Sequence, residues 1–488
     1  MAKWVLPIIL ALAFLLRVAA LDKYPVGFTP DEASYGYDAY SLLKTGKDQW
    51  GYSWPLVLKS FGDYKAPVYA YLTIPSIAIF DLNKFAVRLP NALLGVGAVY
   101  VIYLLSSALF KSLKLEILSA LLLAISPWHI MMSRGAFEAN LITFFLPLGI
   151  YLFLKEKYYW SMIIFGVNMF TYHSAKLITP LIIITLLIFF RDKLTKNIIK
   201  PLLVFSIFLF LTFYTITEGS SARIAERSIT QGALVDGARV KIALIQNGMN
   251  PILARLLHNK YQVVVSRFIN NYKEYFSYRF LVKDGPAETT YGMMKGLGVL
   301  TYLEIIGLVS VIFFFRKLKE KKVLYFLIAW LLISPIPASL ATGVGYSANR
   351  AGSMIPVLQI IASLGIYKLL ETRNKLNYLI VLIGVIGIVF FLQKYLIESP
   401  KTLAAGMLEG NLSKAVEFIK LGEFYDEVVV PRTLSEPHIY IAFVGKINPK
   451  FYQEQSKNWK FEELGVNWVD QMPEYRLGRF LFKNNETN

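Results

Sequence analysis

Apolar runs close to the length a bilayer demands of a helix, about 20 residues, recur along this chain. They lie at 4–21, 88–110, 116–132, 138–154, 158–172, 176–190, 199–216, 297–315, 323–341, 351–370 and 378–397. In hydrocarbon every backbone N–H and C=O must be satisfied within its own segment, so these runs are predicted to be helices. The composition agrees: 55% of the residues are hydrophobic, above the roughly 45–50% of soluble domains. The expected fold class is an all-α polytopic membrane protein with about eleven transmembrane helices. Three longer polar stretches, 22–65, 217–295 and 398–488, interrupt the pattern.

The lysines and arginines between apolar runs set the expected orientation. Clusters at Arg191–Lys200, Arg316–Lys322 and Arg373–Lys375 are placed in the cytoplasm. Working outward from them, 22–65, 217–295 and 398–488 fall outside, with the N-terminus inside. The first run resembles a signal peptide but shows no small-residue cleavage site and carries Arg17, so it is read as a retained helix. Segment 66–80 would span only about 22 Å at 1.5 Å per residue and contains Pro67 and Pro75, so it is expected to lie at the interface. The tail 398–488 is expected to be a small α/β extracytoplasmic domain. In it Leu412–Leu421 has helical spacing, while Glu427–Val430 and His438–Val444 look like strands.

The net charge of +18 would suggest nucleic acid in a soluble protein; here it suits membrane lipid and an anionic substrate, and nucleic acid is not expected. There are no cysteines, so disulfides and thiolate-bound metals are excluded. His129, His173, His258 and His438 show no metal-ligand spacing, so a divalent metal is left open and not indicated. Asn411-Leu412-Ser413 and Asn485-Glu486-Thr487 match the glycosylation acceptor pattern.

The chemistry-bearing residues collect at the expected outer face. Thr29-Pro30-Asp31-Glu32 reads as a helix start, with Thr29 as cap, Pro30 at the first position and Glu32 closing a capping box. Residues 30–44 are expected to lie on the membrane surface, leaving through Gly46. The acidic pair is then either a partner of the helix dipole or a base, since the same dipole favours an ionised Asp31. Gly62-Asp63-Tyr64-Lys65-Ala66-Pro67 is expected to open the second interfacial helix, with Lys65 near its free N–H groups. Arg88, Arg134, Glu138, His173, Lys176 and Arg350 sit at span ends on the same face. Carboxylates and cations gathered at one depth suit a phosphate-bearing lipid and an acceptor hydroxyl.

Taken in order, Pro30-Asp31-Glu32, Gly62–Pro67, Val87-Arg88-Leu89-Pro90, Ser126-Pro127 with Ser133-Arg134 and Glu138, and Asn349-Arg350…Pro356 resemble the GT-C membrane glycosyltransferases of the protein-O-mannosyltransferase and aminoarabinose-transferase superfamily. The resemblance covers nearly all of 1–397 and is strongest in 1–140. Loop 217–295 is similar to the family's large outer loop around Phe276–Phe280 and Gly285-Pro286. It implies a GT-C domain over 1–397, with two juxtamembrane helices in a first outer loop at 22–87, and a polyprenyl-phosphate-linked sugar as donor. The family's essential acid falls on Asp31, with Glu32 beside it, and the lysine that contacts donor phosphate falls on Lys65. The family's Lys-Pro-Pro reads Lys65-Ala66-Pro67 here, and Glu138 stands where Asp is common. The sugar-binding repeats of eukaryotic mannosyltransferases have no counterpart, so glycan, lipid and protein acceptors are all open.

The implied reaction is an inverting transfer to an acceptor hydroxyl on the outer face. Asp31 with Glu32 is the expected catalytic pair; Lys65, Arg88 and Arg350 are expected on donor phosphate; Asp63, Arg134, Glu138, His173 and Lys176 orient substrate. The competing reading is a transporter or flippase of a lipid-linked anion. That class calls for mid-bilayer charges and paired halves, whereas here, apart from Arg17, the charges gather at one face.

Overall fold

The computed structural model describes residues 2–483 apart from 63, 195, 216–227, 288–289, 343–346 and 373–375. Each of the eleven apolar runs is a helix or a bent helix pair. In the first half these are α1 (Ala2–Val18), α4 (Lys84–Phe110), α5 with α6 (Leu113–Ile125 and Pro127–Ser133), α7 (Ile142–Leu154), α8 (Tyr158–Met169), α9 (Ala175–Phe189) and α10 (Ile199–Thr215). Between α1 and α4 come α2 (Pro30–Thr45), a two-stranded hairpin of β1 (Leu58–Lys59) and β2 (Tyr64–Lys65), and α3 (Val68–Phe80). Four described helices are long and apolar enough to cross a bilayer by themselves, or five if the bent pair α5–α6 counts as one. The others are shorter. Helix Met354–Glu371 runs through the centre with 72% of its apolar window buried, whereas in Asn377–Leu403 only 17% is, which leaves that helix at the lipid-facing rim.

The 59° bend between α5 and α6 has a local cause. Pro127 has no N–H to give the carbonyl of Leu123, four residues back. Arg17 supplies the missing donors, reaching Leu123 O and Ala124 O at 3.0 Å each and His129 Nδ1 at 2.9 Å. Arg17, inside the first span, is thus absorbed by a helix break.

Helix α2 forms as expected. Glu32 N donates to Thr29 Oγ1 (3.3 Å), Thr29 N donates to Glu32 Oε2 (3.0 Å), and Gly46 ends the helix at φ +69°. It is not a surface helix. Ten of its residues, Glu32–Ala39 with Ser41 and Leu42, are buried, between α3 and α4 on one side and the C-terminal region on the other. Tyr37, expected at the lipid surface, is fully buried and donates to Ile447 O at 2.9 Å. The small residues of α2 allow this close packing: a Cβ on Gly36 would lie 2.5 Å from Val87 Cγ2 and 2.8 Å from Phe443 Cε2.

The C-terminal region holds β3 (Val428–Pro431), β4 (Glu474–Leu477) and β5 (Phe480–Lys483) in the order β3-β5-β4, with β5 parallel to β3 and antiparallel to β4. Helices Asn411–Phe424, Pro437–Val444 and Pro449–Ser456 pack with it. The expected strand His438–Val444 is therefore a helix. Pro437 starts it, and burial of every residue from Pro437 to Phe443 removes the polar face that would have revealed helical periodicity. The hydrophobic core here is continuous with that of α2, Phe61 and Tyr69. Asn411 is buried at the start of its helix, which closes it as a glycosylation acceptor, and Asn485 lies outside the described residues.

Replacing Gly36 by Val is expected to destabilise the protein by about 1–3 kcal/mol through overpacking. A lowered thermal midpoint of the detergent-purified chain checks this; an unchanged midpoint would mean that α2 has room to move.

Candidate active site

Successive residues at the start of α2 face opposite environments. Glu32 turns inward and is fully buried with Arg88 of α4. Arg88 Nε and Nη2 donate to the two Glu32 oxygens at 2.7 and 3.1 Å. Its remaining N–H groups go to the carbonyls of Leu21 (3.2 Å), Pro25 (2.8 Å) and Gly27 (3.0 Å). All five guanidinium donors are thereby used. Glu32 also accepts from Ala136 N (3.0 Å) and Thr29 N (3.0 Å). Burial pushes the Glu32 carboxyl up, but the Arg88 charge and these hydrogen bonds outweigh it and hold the group below its ordinary range. This corrects two expectations. Glu32 has no face toward a reaction, and Arg88 has no donor left for a phosphate; together they fix the α1–α2 connector to α2 and α4.

Asp31 turns the other way and is 40% exposed. Lys65 Nζ lies 2.6 Å from Asp31 Oδ1 and is itself only 7% exposed, held over the rings of Phe61 (4.9 Å) and Tyr35 (5.0 Å). The contact is an ion pair rather than a directed hydrogen bond. Lys65 sits in β2, three residues ahead of α3, and not at a helix N-terminus as expected. On its other side Lys65 joins His173, Lys176, Phe170, Pro67 and Thr215 in lining a small groove. His173 Nε2 donates to Tyr64 O at 3.2 Å, which fastens the α8–α9 connection to the hairpin. The structure thus brings Asp31, Lys65, His173 and Lys176 together.

Glu138 begins the turn Glu138–Leu141, within electrostatic reach of Asp31 and Lys65. The turn Asn349–Ala351 packs against it, and Arg350 donates to Thr342 O (3.0 Å). Arg134, expected on substrate, is buried instead and caps the C-terminus of α1 through Leu16 O (2.8 Å), Ala19 O (2.7 Å) and Ala20 O (3.2 Å). Asp63 lies outside the described residues.

Three polar groups on or beside α2 escaped the sequence reading. Tyr35 and Asp38 follow Asp31 at helical spacing, the one signal that pointed to them. Asp38 and Asp48 are both fully buried. Asp38 accepts from Gln49 N (3.1 Å) and Gln49 Nε2 (3.2 Å); Asp48 Oδ1 accepts from the N–H groups of Trp50 and Tyr52, each at 2.9 Å. Desolvation raises both carboxyls, Asp48 to about 6, and the Asp48 charge adds to the effect on Asp38. Among the described residues, Glu436, His438 and Asp470 place donor atoms within 4.8 Å of one another, close enough to hold an ion. There the Tyr475 hydroxyl already bridges His438 Nδ1 (3.0 Å) and Asp470 Oδ1 (2.5 Å), and burial keeps the imidazole neutral with its pKa at about 3. The group is a hydrogen-bonded relay in the core.

Comparison with known proteins agrees with the fold. Residues 64–215 match the family described as dolichyl-phosphate-mannose-protein mannosyltransferase. An uncharacterised protein of Aquifex aeolicus (strain VF5) is 29% identical over 163 residues, a match that spans 31% of this chain and only 32% of that relative. Among solved structures, ArnT from Cupriavidus metallidurans bound to undecaprenyl phosphate is 12% identical with a TM-score of 0.54, covering 98% of this chain and 97% of that one. The oligosaccharyltransferase AglB from Archaeoglobus fulgidus, in complex with an inhibitory peptide and a dolichol-phosphate, is 16% identical with a TM-score of 0.47, covering 89% and 61%. The chain is a membrane protein with the GT-C fold.

Glu32→Gln is expected to cost about 3–5 kcal/mol, because it leaves Arg88 charged and buried without its partner. The double variant Glu32→Met with Arg88→Met should recover part of that loss in thermal unfolding. The raised carboxyls give a pH signature of the opposite sign to a salt bridge. The folded state keeps its protons longer than the unfolded chain, so stability falls as pH rises from about 4, the unfolded value, through about 6. Melting curves across that window should show the fall, and Asp48→Asn should flatten it.

Proposed function

We propose that this protein transfers a sugar from a polyprenyl-phosphate donor to an acceptor hydroxyl, with inversion, at the membrane face on which α2 lies. The observation that carries the reading is the Asp31–Lys65 pair at the edge of a groove that also presents His173 and Lys176. One carboxylate with an open side stands against a cluster of cations, which is the charge arrangement such a reaction uses. The family matched by residues 64–215, and the undecaprenyl phosphate bound to ArnT, support a lipid phosphate as the donor's carrier.

In this mechanism the donor phosphate enters the groove against Lys65 and Lys176, with His173 beside them and Arg350 approaching from its own turn. The phosphate competes for Lys65 and loosens its hold on Asp31. Asp31 then takes the proton of the acceptor hydroxyl as the oxygen attacks the anomeric carbon. The bond from that carbon to the phosphate oxygen breaks with its electron pair, and the lipid phosphate leaves. A phosphate needs no strong general acid, and the cations stabilise the charge it gains. Glu138 orients sugar or acceptor. Glu32, Arg88 and Arg134 contribute by holding the backbone of α2, α4 and the α1–α2 connector in place.

Asp31→Asn should lower transfer by about 10²–10⁴-fold, the span of general-base contributions, in a chain that still folds but melts lower because the buried Lys65 loses its partner. Proteoliposomes given labelled polyprenyl-phosphate sugar read this directly; full activity in the variant would remove Asp31 from the mechanism. Lys65→Ala should raise KM for the donor more than for the acceptor, and equal effects would make Lys65 a packing residue. Mass spectrometry of envelope glycans from cells lacking the protein identifies the sugar and acceptor.

A further inference from the structure

Segment 233–274 folds into three short helices, Ala233–Gln246, Pro251–Leu257 and Lys260–Glu274. It is a built structure: Arg267 pairs with Asp236 and donates to Ile229 O and Gln231 O at 2.7 Å each, while Asn250 and Asn259 cap the second and third helices. One side is fastened to the bundle. Ile229 N donates to Leu340 O (3.1 Å), Asn271 Nδ2 to Ser339 O and Ala341 O (3.3 Å each), and the Tyr272 hydroxyl to Leu332 O (2.8 Å).

Its other sides carry large apolar side chains that no described residue covers. Leu234, Ile252, Leu256 and Tyr261 are 70–71% exposed, and Val265 and Ile269 extend the Tyr261 stripe along one face of the third helix. Such a surface is not tolerated in water without a covering. The helices have 14, 7 and 15 residues, so none reaches across the roughly 30 Å hydrocarbon core. Over 233–274 six cations face two acids, Asp236 and Glu274, a net charge of +4, and one of those acids is already spent on Arg267.

We propose that helices 233–274 form a platform that lies in the bilayer interface, apolar side chains among the acyl chains and Arg239, Arg255 and Lys260 on anionic headgroups. Charge complementarity selects an anionic lipid surface as the occupant. Because the platform is bonded to Leu332 and to Ser339–Ala341, lipid contact bears directly on those residues of the bundle.

The absence of cysteine permits single reporters in the full chain. Leu256→Cys and Val265→Cys, with Glu454→Cys on helix Pro449–Ser456 as aqueous reference, are labelled with an environment-sensitive fluorophore. The protein is placed in phosphatidylcholine–phosphatidylglycerol nanodiscs. Doxyl lipid should quench positions 256 and 265 at least about twofold more than position 454, and iodide should quench them about twofold less, as interfacial insertion requires. The triple change R239Q/R255Q/K260Q should shrink that contrast. Iodide access at 256 and 265 equal to that at 454 overturns the proposal. So does shielding that appears only with two copies per disc, which would give the face to a second copy, and so does a contrast indifferent to the triple change.

Discussion

The buried contact between Arg88 and Glu32 is the constraint on which the rest of the site depends. A guanidinium with all five donors placed, meeting a carboxylate that also holds two backbone N–H groups, admits little other geometry. It binds the connector carbonyls of Leu21, Pro25 and Gly27, the start of α2, the second span α4 and the Gly135–Phe137 turn at one point. Neighbouring residues on a helix are turned by roughly 100°. Once Glu32 is committed inward, Asp31 is committed to the groove. The acid pair is a structural anchor and, in the proposed mechanism, a base side by side, each defined by the other's direction.

The eleven apolar runs were legible because a bilayer imposes length and hydropathy that no packing detail can hide. The start of α2 was legible because its capping box lies within four residues. The roles of Arg88 and Arg134 were not. A cation at the end of a span answers equally to a phosphate or to the unpaired carbonyls of a neighbouring helix, and both arginines went to carbonyls supplied by residues 61–118 positions away. The burial of α2 was hidden for a related reason. Its covering comes from Ile447 and Gln453, and nothing in a run of Ala, Gly, Ser and Tyr announces a roof so distant in sequence. The misread helix Pro437–Val444 follows from the same contact, since a segment buried on every side has no polar face to set its period.

Lys65 shows how aromatic walls shape a cationic site. Phe61 and Tyr35 each stand about 5 Å from its ammonium, so the charge is partly desolvated and steadied by two ring faces while Asp31 neutralises it. A resting site of this kind does not hold a naked positive charge beside lipid. In the proposed reaction an arriving phosphodiester monoanion draws that charge away, and the exchange leaves the carboxylate without its counter-ion.

The roof over α2 also bears on how the protein is made. Tyr37 waits for Ile447, and Ser41 for Gln453, so the helix carrying Asp31 leaves the ribosome more than 400 residues before its partners exist. At 5–20 residues per second that interval is on the order of 20–80 s. Throughout it the nascent chain holds its polar helix unroofed while span after span enters the membrane. The end that carries the proposed site is begun first and closed last, and a ribosome that stops short of the final strands releases a chain whose α2 has no roof.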